Sequence, residues 1–237
     1  MIIFKIVKFS NFRNMCFFTQ QNAPAKNLKE RFNAQIENED TIIVSNFING
    51  FSYPNIPIIL DTSPNIITTD YSWGLLPLWA KELSFRENTL NARIETIDKK
   101  PSFKNSIQNR CLIIATGYYE WHWNDPKGKS KDKYELKSMD DEIFTFAGLY
   151  TISKNPETGQ VMNTYSMVTT EGNDLMKYIH NSKSIKTGNI HDARMPVLLK
   201  KKDEAAWLDQ SVKYSEFALP YEANLTEFPK IPLTLNL

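Results

Sequence analysis

The hydrophobic pattern of the chain consists mostly of short runs rich in β-branched and aromatic residues, separated by polar loops. Such runs are typical of strands. We predict strands over 41–47, 65–75, 110–123, 133–138, 142–152 and 164–170. Apolar residues recur instead at helical spacing in three short segments, 25–35, 171–180 and 201–209. The pattern therefore predicts an α+β fold with a large β component.

The pattern also bears on the number of domains. A length of 237 residues suits one large domain or two small ones. No repeat or low-complexity block divides the chain, and the polar stretch 124–133 has the composition of a hairpin loop, so we predict a single domain. The apolar run at the start is broken by Lys5 and Lys8, and no run approaches the roughly 20 residues of a membrane helix. We predict neither a signal peptide nor a membrane segment.

Glycine is scarce in this sequence. The chain has eight glycines, whereas average usage predicts roughly twice that number. Gly74, Gly117 and Gly148 lie inside the three most aromatic segments. We expect these glycines to occupy positions where the backbone needs them.

Composition narrows the classes of function. The chain has 28 basic and 27 acidic side chains, so any site for a polyanion must be a local patch. Two cysteines and three histidines are too few for a disulfide scaffold or a structural zinc site, and they favour a reducing, cytoplasmic setting. The standard motifs for phosphate, dinucleotide, zinc-protease and serine-hydrolase sites are absent. Any chemistry must therefore come from isolated groups.

Two side chains are candidates for acid–base chemistry. Glu120 lies among aromatic residues in GYYEWHW, and apolar surroundings would raise its pKa toward the value that a general acid or base needs. Alternatively, Glu120 faces solvent while the alternate aromatic residues fill the core. His180 ends a predicted helix and is either a proton-transfer group or a partner of the helix dipole. The pattern alone leaves both choices open.

The two cysteines differ in context. Cys111 lies in an apolar strand and is predicted to be a core residue. Cys16 follows Met15, so a translation start at Met15 or removal of residues 1–15 would make it N-terminal. Its amine and thiol would then both be nucleophiles near neutral pH, and together they would close a thiazolidine ring with an aldehyde. The alternative is a small, buried hydrophobic residue.

Several segments, taken in their order along the chain, resemble the SOS-response-associated peptidase (SRAP) family. The most specific combination is NARIET (91–96) followed by RCLIIATGYYEW (110–121). The other matching segments are MCFFTQQ (15–21), WGLLPLWAK (73–81), PSFK (101–104), FAGLY (146–150), TTEGNDLMKYIHN (169–181) and RMPVLL (194–199). They occur in the family's order and span nearly all of the chain from Met15 onward.

The resemblance implies both a fold and a function. The fold would be a single domain dominated by a β-barrel-like, mixed or antiparallel sheet with short peripheral helices. The protein would bind single-stranded DNA and crosslink covalently to abasic sites in the DNA-damage (SOS) response. The link would be a thiazolidine at Cys16, exposed by self-processing or by an aminopeptidase. On this basis 1–15 is an upstream-start extension or removed leader, 16–225 the SRAP domain and 226–237 a tail.

The resemblance also implies roles for individual residues. Cys16 would form the crosslink, Asn91 would hold the Cys16 end or the sugar, and Glu120 would act as the acid and base. Arg93 and Arg194 would contact phosphates. The residues that would stack or wedge against bases are Trp73, Leu76 and Pro77. No metal or organic cofactor is implied, and the protein is expected to be a monomer in the cytoplasm, at the nucleoid when acting, with no membrane partner.

The catalytic histidine departs from the family pattern. The stretch between the histidine and RMP is expanded here, so His180 and His191 are both candidates. We choose His180 because the block 169–181 matches without a gap and surface loops absorb insertions readily.

The N-terminal segment departs as well. Fourteen residues precede Met15, and crosslinking would fail if they persisted. Phe17 and Phe18 follow Cys16 where Gly-Arg is common, which removes an arginine that contacts phosphate in many relatives and would weaken DNA affinity.

Two other classes of function are compatible with the residues. A noncatalytic single-stranded DNA-binding module would use the aromatic residues for stacking, with Glu120 and the histidines structural. A peptidase acting on external substrates would use a cysteine–histidine pair. The first predicts that DNA retention is unchanged when Cys16 becomes serine, and the second predicts turnover of unlinked peptides.

Overall fold

Two β-sheets and three short helices form the structure, a computed structural model that describes residues 16–138, 140–182 and 193–218 and the backbone of 225–227 and 231–233. The strands are β1 (Phe18–Gln21), β2 (Gln35–Ile36), β3 (Ser45–Asn49), β4 (Ile58–Leu60), β5 (Ser63–Thr68), β6 (Ser72–Trp73), β7 (Asn91–Arg93), β8 (Arg110–Ala115), β9 (Gly117–Trp123), β10 (Lys131–Ser138), β11 (Phe144–Lys154), β12 (Val161–Glu171), β13 (Arg194–Pro196), β14 (Leu198–Leu199), β15 (Leu225–Glu227) and β16 (Ile231–Leu233). The helices are α1 (Ala25–Phe32), α2 (Asp174–Ile179) and α3 (Glu204–Leu208).

The two sheets differ in size and in strand direction. The first has the order β15-β10-β9-β1-β3, with β16 also on β10, and its pairs are antiparallel. The second has the order β13-β12-β11-β8-β4-β5-β2, with β14 on β11 and both β6 and β7 on β12. The pairs of β2 with β5, and of β6 and β7 with β12, are parallel. The strands curl into a half-barrel, so the predicted barrel-like, mixed, single-domain α+β fold is confirmed.

The predicted strand 110–123 is two strands that belong to different sheets. β8 lies in the second sheet and β9 in the first, and Thr116 separates them. The backbone N–H of Thr116 donates to the carbonyl of Gln20, 2.8 Å away, and a Cβ on Gly117 would lie 2.5 Å from Oε1 of Gln20. Gly117 therefore lets the chain cross closely over β1. The sequence does not reveal this crossing, because both strands are buried and the apolar run continues from one strand into the other.

Strand β8 supplies side chains to two hydrophobic cores. Its six residues are all buried. Cys111 and Ile113 point into one core, with Trp73 and Tyr165 among its members, and Leu112 and Ile114 point into the other. Because successive side chains of a strand point to opposite faces, an apolar run on both faces is what a strand between two cores requires. The prediction that Cys111 is a core residue is confirmed.

The three predicted helices are present but shorter than the patterns that predicted them. Helix α1 ends at Asn33, which adopts a left-handed conformation with φ 47°. At the start of α2, the side chain of Asn173 accepts a hydrogen bond from the N–H of Met176 and so caps the helix. Within the described residues, no helix combines the length and the apolarity needed to cross a membrane.

The first sheet continues beyond residue 225, into the segment expected to be a tail. Strand β15 pairs with the end of β10 at Ser138, and β16 pairs with its beginning at Lys131. Residues 1–15, expected to be an extension or leader, lie outside the described residues. The sheet thus reaches at least residue 233.

We expect Gly148→Ala to lower the free energy of unfolding by about 1–3 kcal/mol. A Cβ on Gly148 would lie 2.6 Å from Sγ of Cys111 and 2.9 Å from Cδ1 of Ile113, both in the core. Cys111→Ala removes the sulfur, so the double variant should lose less stability than the sum of the two single losses. Urea unfolding of the four proteins measures this coupling, and strictly additive losses would contradict it.

Candidate active site

The backbone around Cys16 is held from three sides. The side-chain Nδ2 of Asn91 donates to the carbonyl of Cys16 at 3.0 Å, and the N–H of Gly50 donates to the carbonyl of Phe17 at 2.8 Å. Phe18, at the start of β1, pairs with β3 on one side and with β9 on the other. Cys16 is fully buried. These contacts place its thiol at a defined position against β9.

Asn91 is positioned by a buried tryptophan that supports the preceding residue. The indole Nε1 of Trp73 donates to the carbonyl of Leu90 at 2.7 Å, and the N–H of Met167 donates to the same carbonyl at 3.0 Å. The Oδ1 of Asn91 is buried and has no hydrogen-bond partner among the residues that the structure describes. Asn91 therefore offers a buried acceptor next to Cys16.

Glu120 is buried at the site, not on the solvent face of its strand. Its exposed fraction is 4%, and it lies on β9 opposite Tyr134. The alternative that Glu120 faces solvent is therefore wrong. Burial raises the pKa of the Cys16 thiol well above its ordinary value, and the neighbouring Glu120 raises it further by its charge and its hydrogen bond to the thiol. The thiol is consequently protonated at neutral pH.

His180 stands between the carboxylate and strand β13. Its Nε2 lies 2.6 Å from Oε2 of Glu120, and both side chains are almost fully buried. Its Nδ1 accepts from the backbone N–H of Arg194 at 3.3 Å. Because Nδ1 is the acceptor, Nε2 carries the proton and faces Glu120. His180 is also the C-terminal cap residue of α2, so the helix end and the site coincide.

The structure thus brings together Cys16, Asn91, Glu120 and His180, which are four of the residues singled out in the sequence. His191 lies outside the described residues. Among the described residues, no group of three or more histidine, cysteine, aspartate or glutamate side chains forms a possible metal site.

Arg194 does not present its charge to a phosphate in this structure. Its exposed fraction is 5%. Its Nη1 and Nη2 donate to the two carboxylate oxygens of Glu95 at 2.9 and 2.8 Å, and Nη2 also donates to the carbonyl of Thr169 at 2.9 Å. The guanidinium of Arg194 is therefore engaged by an internal carboxylate, and its expected phosphate contact stays a prediction. Its positive charge acts instead on Cys16, whose pKa it lowers against the larger effects of burial and Glu120.

Glu95 was missed by the sequence reasoning. It lies in NARIET, where only Asn91 and Arg93 are predicted to be site residues. Burial alone would raise the pKa of Glu95, but the hydrogen bonds and charge of Arg194 outweigh it and leave the pKa below its ordinary value. One indication is present in the sequence: Glu95 lies in the same short segment as Asn91 and Arg93, the two residues predicted to belong to the site.

Three residues expected to contact bases are buried. Trp73 and Leu76 have no exposed surface, and Pro77 is also buried. The ring of Trp73 stacks on Tyr165 with a centroid distance of 6.3 Å. In this structure these three side chains face the core, so the expectation that they stack or wedge against bases stays a prediction. The exposed side chains of the segment are the next two, Leu78 and Trp79, at 68% and 47%.

Arg93 is exposed at the end of β7. It lies two residues after Asn91 on the same strand, and side chains two apart share a face. Arg93 therefore places a positive charge on the face of β7 that Asn91 uses to hold Cys16.

The fold and the site together define the class of this protein. The protein is a mixed α+β half-barrel in which a buried thiol, amide, carboxylate and imidazole meet where β1, β7, β9 and α2 converge. A model of the family described as SOS response associated peptidase (SRAP) matches residues 15–233. The chain belongs to this family.

Two similar proteins share the name abasic site processing protein. The abasic site processing protein YoqW of Bacillus subtilis (strain 168) is 35% identical over 187 residues, which cover 77% of each chain. The abasic site processing protein HMCES of Gallus gallus is 29% identical over 171 residues, covering 63% of this chain and 47% of the relative. A crystal structure of a protein from Bacteroides thetaiotaomicron matches with a TM-score of 0.79 and 30% identity, covering 90% and 91% of the two chains.

We expect Glu95→Gln to lower the free energy of unfolding by about 1 kcal/mol near pH 7, because the glutamate side chain is 41% exposed and its ion pair is partly screened. A carboxyl whose pKa is depressed by folding stabilises the fold fully above its unfolded value, 4.5, and this contribution is lost as the pH falls through the lower folded value. The gap between variant and wild type should therefore narrow as the pH falls below 4.5.

Urea unfolding of both proteins across this pH range measures the effect. Glu157→Gln, an exposed glutamate in the loop after β11, is the matched control. A gap of constant size at every pH would contradict the assigned ion pair.

Proposed function

We propose that this protein binds single-stranded DNA and links covalently to abasic sites through Cys16 once that residue is N-terminal. The observation that carries the proposal is the convergence of Asn91, Glu120 and His180 on a buried Cys16. The family membership and the names of the relatives support it, since those relatives are named for abasic site processing.

The chemistry needs an amine, a thiol and a movable proton. The α-amine of Cys16 attacks C1′ of the ring-opened aldehyde, and the resulting carbinolamine loses one water to give an imine. The thiol sulfur then adds to the imine carbon, so that a C–S bond forms, the thiol proton leaves and the nitrogen gains a proton. The product is a five-membered thiazolidine, and the net change is the loss of one water.

Glu120 is the group placed to move that proton. The raised pKa of the Cys16 thiol means that the sulfur must lose its proton during attack, and Glu120 is its acidic neighbour. His180, with its proton on Nε2, holds the other face of the carboxylate and stabilises its negative charge. Asn91 keeps the Cys16 backbone in place, and its unbonded Oδ1 accepts from the amine or from a sugar hydroxyl.

Exposure of the amine is a separate step. The family match begins at Met15, directly before Cys16. We propose that the working form begins at Cys16, through a start at Met15 or through self-processing or an aminopeptidase. An internal Cys16 has no free amine and would not close the ring.

The DNA contacts follow from exposure and charge. Arg93 supplies a cation beside the site, and Leu78 and Trp79 supply exposed apolar surface for stacking, which tolerates any base. A single strand is required because an abasic sugar inside a duplex would not reach the buried thiol. The protein would act as a monomer in the cytoplasm, at the nucleoid.

We expect protein that begins at Cys16 to form a heat-stable adduct with an abasic single-stranded oligonucleotide, and Cys16→Ser to form none. Serine retains the amine but lacks the sulfur that closes the ring, so only a reversible imine remains. Intact mass of the cellular protein establishes its first residue, and denaturing gel electrophoresis after heating measures the adduct.

Cys111→Ser is the matched control, because Cys111 is the other free and buried cysteine and lies on β8, whereas the groups around Cys16 come from β7, β9 and the end of α2. A protein beginning at Cys16 that gives no heat-stable adduct would refute the crosslinking mechanism. Unchanged DNA retention by Cys16→Ser would favour a noncatalytic binding module, and turnover of unlinked peptides would favour an external peptidase.

We expect His180→Gln to slow adduct formation by about 10- to 1,000-fold, because the contact of His180 with the Glu120 carboxylate is lost. His191→Gln should leave the rate unchanged within a factor of about two. Single-turnover time courses with abasic DNA measure both rates. A larger loss for His191→Gln would show that the choice of His180 is wrong.

A further inference from the structure

The end of helix α2 is fastened to strand β9 by side chains that the proposed chemistry does not use. We infer that Asn181 and His122 are positioning residues, which hold His180 against Glu120. The inference rests on the proposed function for the role of His180 in the reaction. We call this arrangement the Asn181 latch and define it by the side chains of Asn181 and His122, the backbone of Trp123 and the carbonyl of Tyr178.

His180 lies where helix α2 has already ended. It is the cap residue directly after Ile179, and its backbone, with φ −82° and ψ 61°, is no longer helical. The N–H of Arg194 binds its Nδ1 and so orients the ring, but this bond does not hold the backbone that carries the ring. The contact of Nε2 with Oε2 of Glu120, at 2.6 Å, therefore depends on how the end of α2 is held against β9.

Asn181 pairs with the backbone of β9 as a residue of a neighbouring strand would. The N–H of Trp123 donates to Oδ1 of Asn181 at 2.8 Å, and Nδ2 of Asn181 donates to the carbonyl of Trp123 at 2.8 Å. Among the described residues, β1 pairs with β9 only at positions 117–119 and does not reach Trp123. The amide side chain thus supplies both hydrogen bonds that a strand would make there. It holds the residue next to His180 at the edge of β9.

His122 contacts the chain on both sides of His180. Its Nδ1 lies 2.9 Å from the carbonyl oxygen of Tyr178, and its Nε2 lies 3.0 Å from Nδ2 of Asn181. Because a carbonyl only accepts, Nδ1 carries the proton and Nε2 accepts from the amide. The imidazole also stacks on the ring of Tyr178, with a centroid distance of 4.9 Å and an angle of 25°. His122 thereby binds a carbonyl at the end of α2, where helical partners run out.

The latch and the carboxylate belong to the same strand. His122 is the second residue after Glu120, so both side chains lie on one face of β9, about 7 Å apart along the strand. The amide of Asn181 uses its oxygen and both of its N–H groups, so one orientation of the amide and one tautomer of His122 satisfy every group. Strand β9 therefore sets the position of His180 relative to Glu120, and a displacement of about 1 Å would slow proton transfer.

Single-turnover adduct formation with an abasic oligonucleotide measures the latch in protein that begins at Cys16. Asn181→Ala should lower the maximal rate by about tenfold and leave the DNA concentration for half-maximal rate unchanged, because the latch acts on His180 and not on DNA binding. In a His180→Gln background, Asn181→Ala should cause no further loss, since the residue that the latch positions is absent. Equal losses in the two backgrounds would contradict an effect through His180.

Two substitutions of His122 separate its hydrogen bonds from its ring. His122→Gln keeps a donor and an acceptor and should retain the rate within a factor of about three, whereas His122→Phe keeps only the ring and should slow adduct formation by about tenfold. Asn124→Ala is the matched control, because the amide of Asn124 donates to Asp132 of β10 and not to α2. Urea unfolding verifies that every variant is folded. A wild-type rate for His122→Phe, or a tenfold loss for Asn124→Ala, would overturn the inference.

Nitrogen NMR of isotope-labelled histidines tests the latch without the crosslink. His122 should show the Nδ1–H tautomer and His180 the Nε2–H tautomer. Asn181→Ala should shift the ring signals of both, and Asn124→Ala should shift neither. These results without any adduct from wild type beginning at Cys16 would refute the crosslink and support the latch. Normal adduct formation with unchanged His180 signals and an unchanged rate in Asn181→Ala would refute the latch alone.

Discussion

The central position of β1, between β3 and β9, is the constraint on which the rest of the site depends. Strand β1 brings the backbone of Phe18 opposite Tyr119, so that Cys16 projects beside Glu120, the next residue of β9. The same strand carries Gln20, whose carbonyl receives the chain at the crossing from β8 into β9. One short strand therefore contacts the chain where it passes from the second sheet to the first, and it holds the thiol next to the carboxylate.

A chain of polar contacts then runs outward from the thiol. Cys16 lies against Glu120, which contacts His180, and His180 accepts from the backbone of Arg194. Arg194 in turn is held by the carboxylate of Glu95. Buried charges are tolerated in proteins where each has such a partner, since an uncompensated charge in an apolar environment is costly. The partners also fix which nitrogen of His180 carries the proton.

The aromatic residues of the chain fall into two groups that the pattern of residues does not separate. Trp73 and Tyr165 stack in the core and support Asn91 through the Leu90 carbonyl. Phe47 and Trp79 are exposed, on β3 and in the loop after β6. The segment WGLLPLW contains both kinds within seven residues. Apolar character alone predicts burial, and only the path of the backbone decides which of these side chains reaches solvent.

The sequence by itself determined the β-rich α+β fold, the three short helices and the residues that converge on the site. Short β-branched runs and helical spacing are local properties, and Cys16, Asn91, Glu120 and His180 are rare chemical groups within specific motifs. Burial of Glu120, the pairing of Arg194 with Glu95 and the change of sheet at Thr116 were decided only by the tertiary structure. These features depend on contacts between residues far apart in the chain, such as the 99 positions between Glu95 and Arg194, which no local pattern encodes.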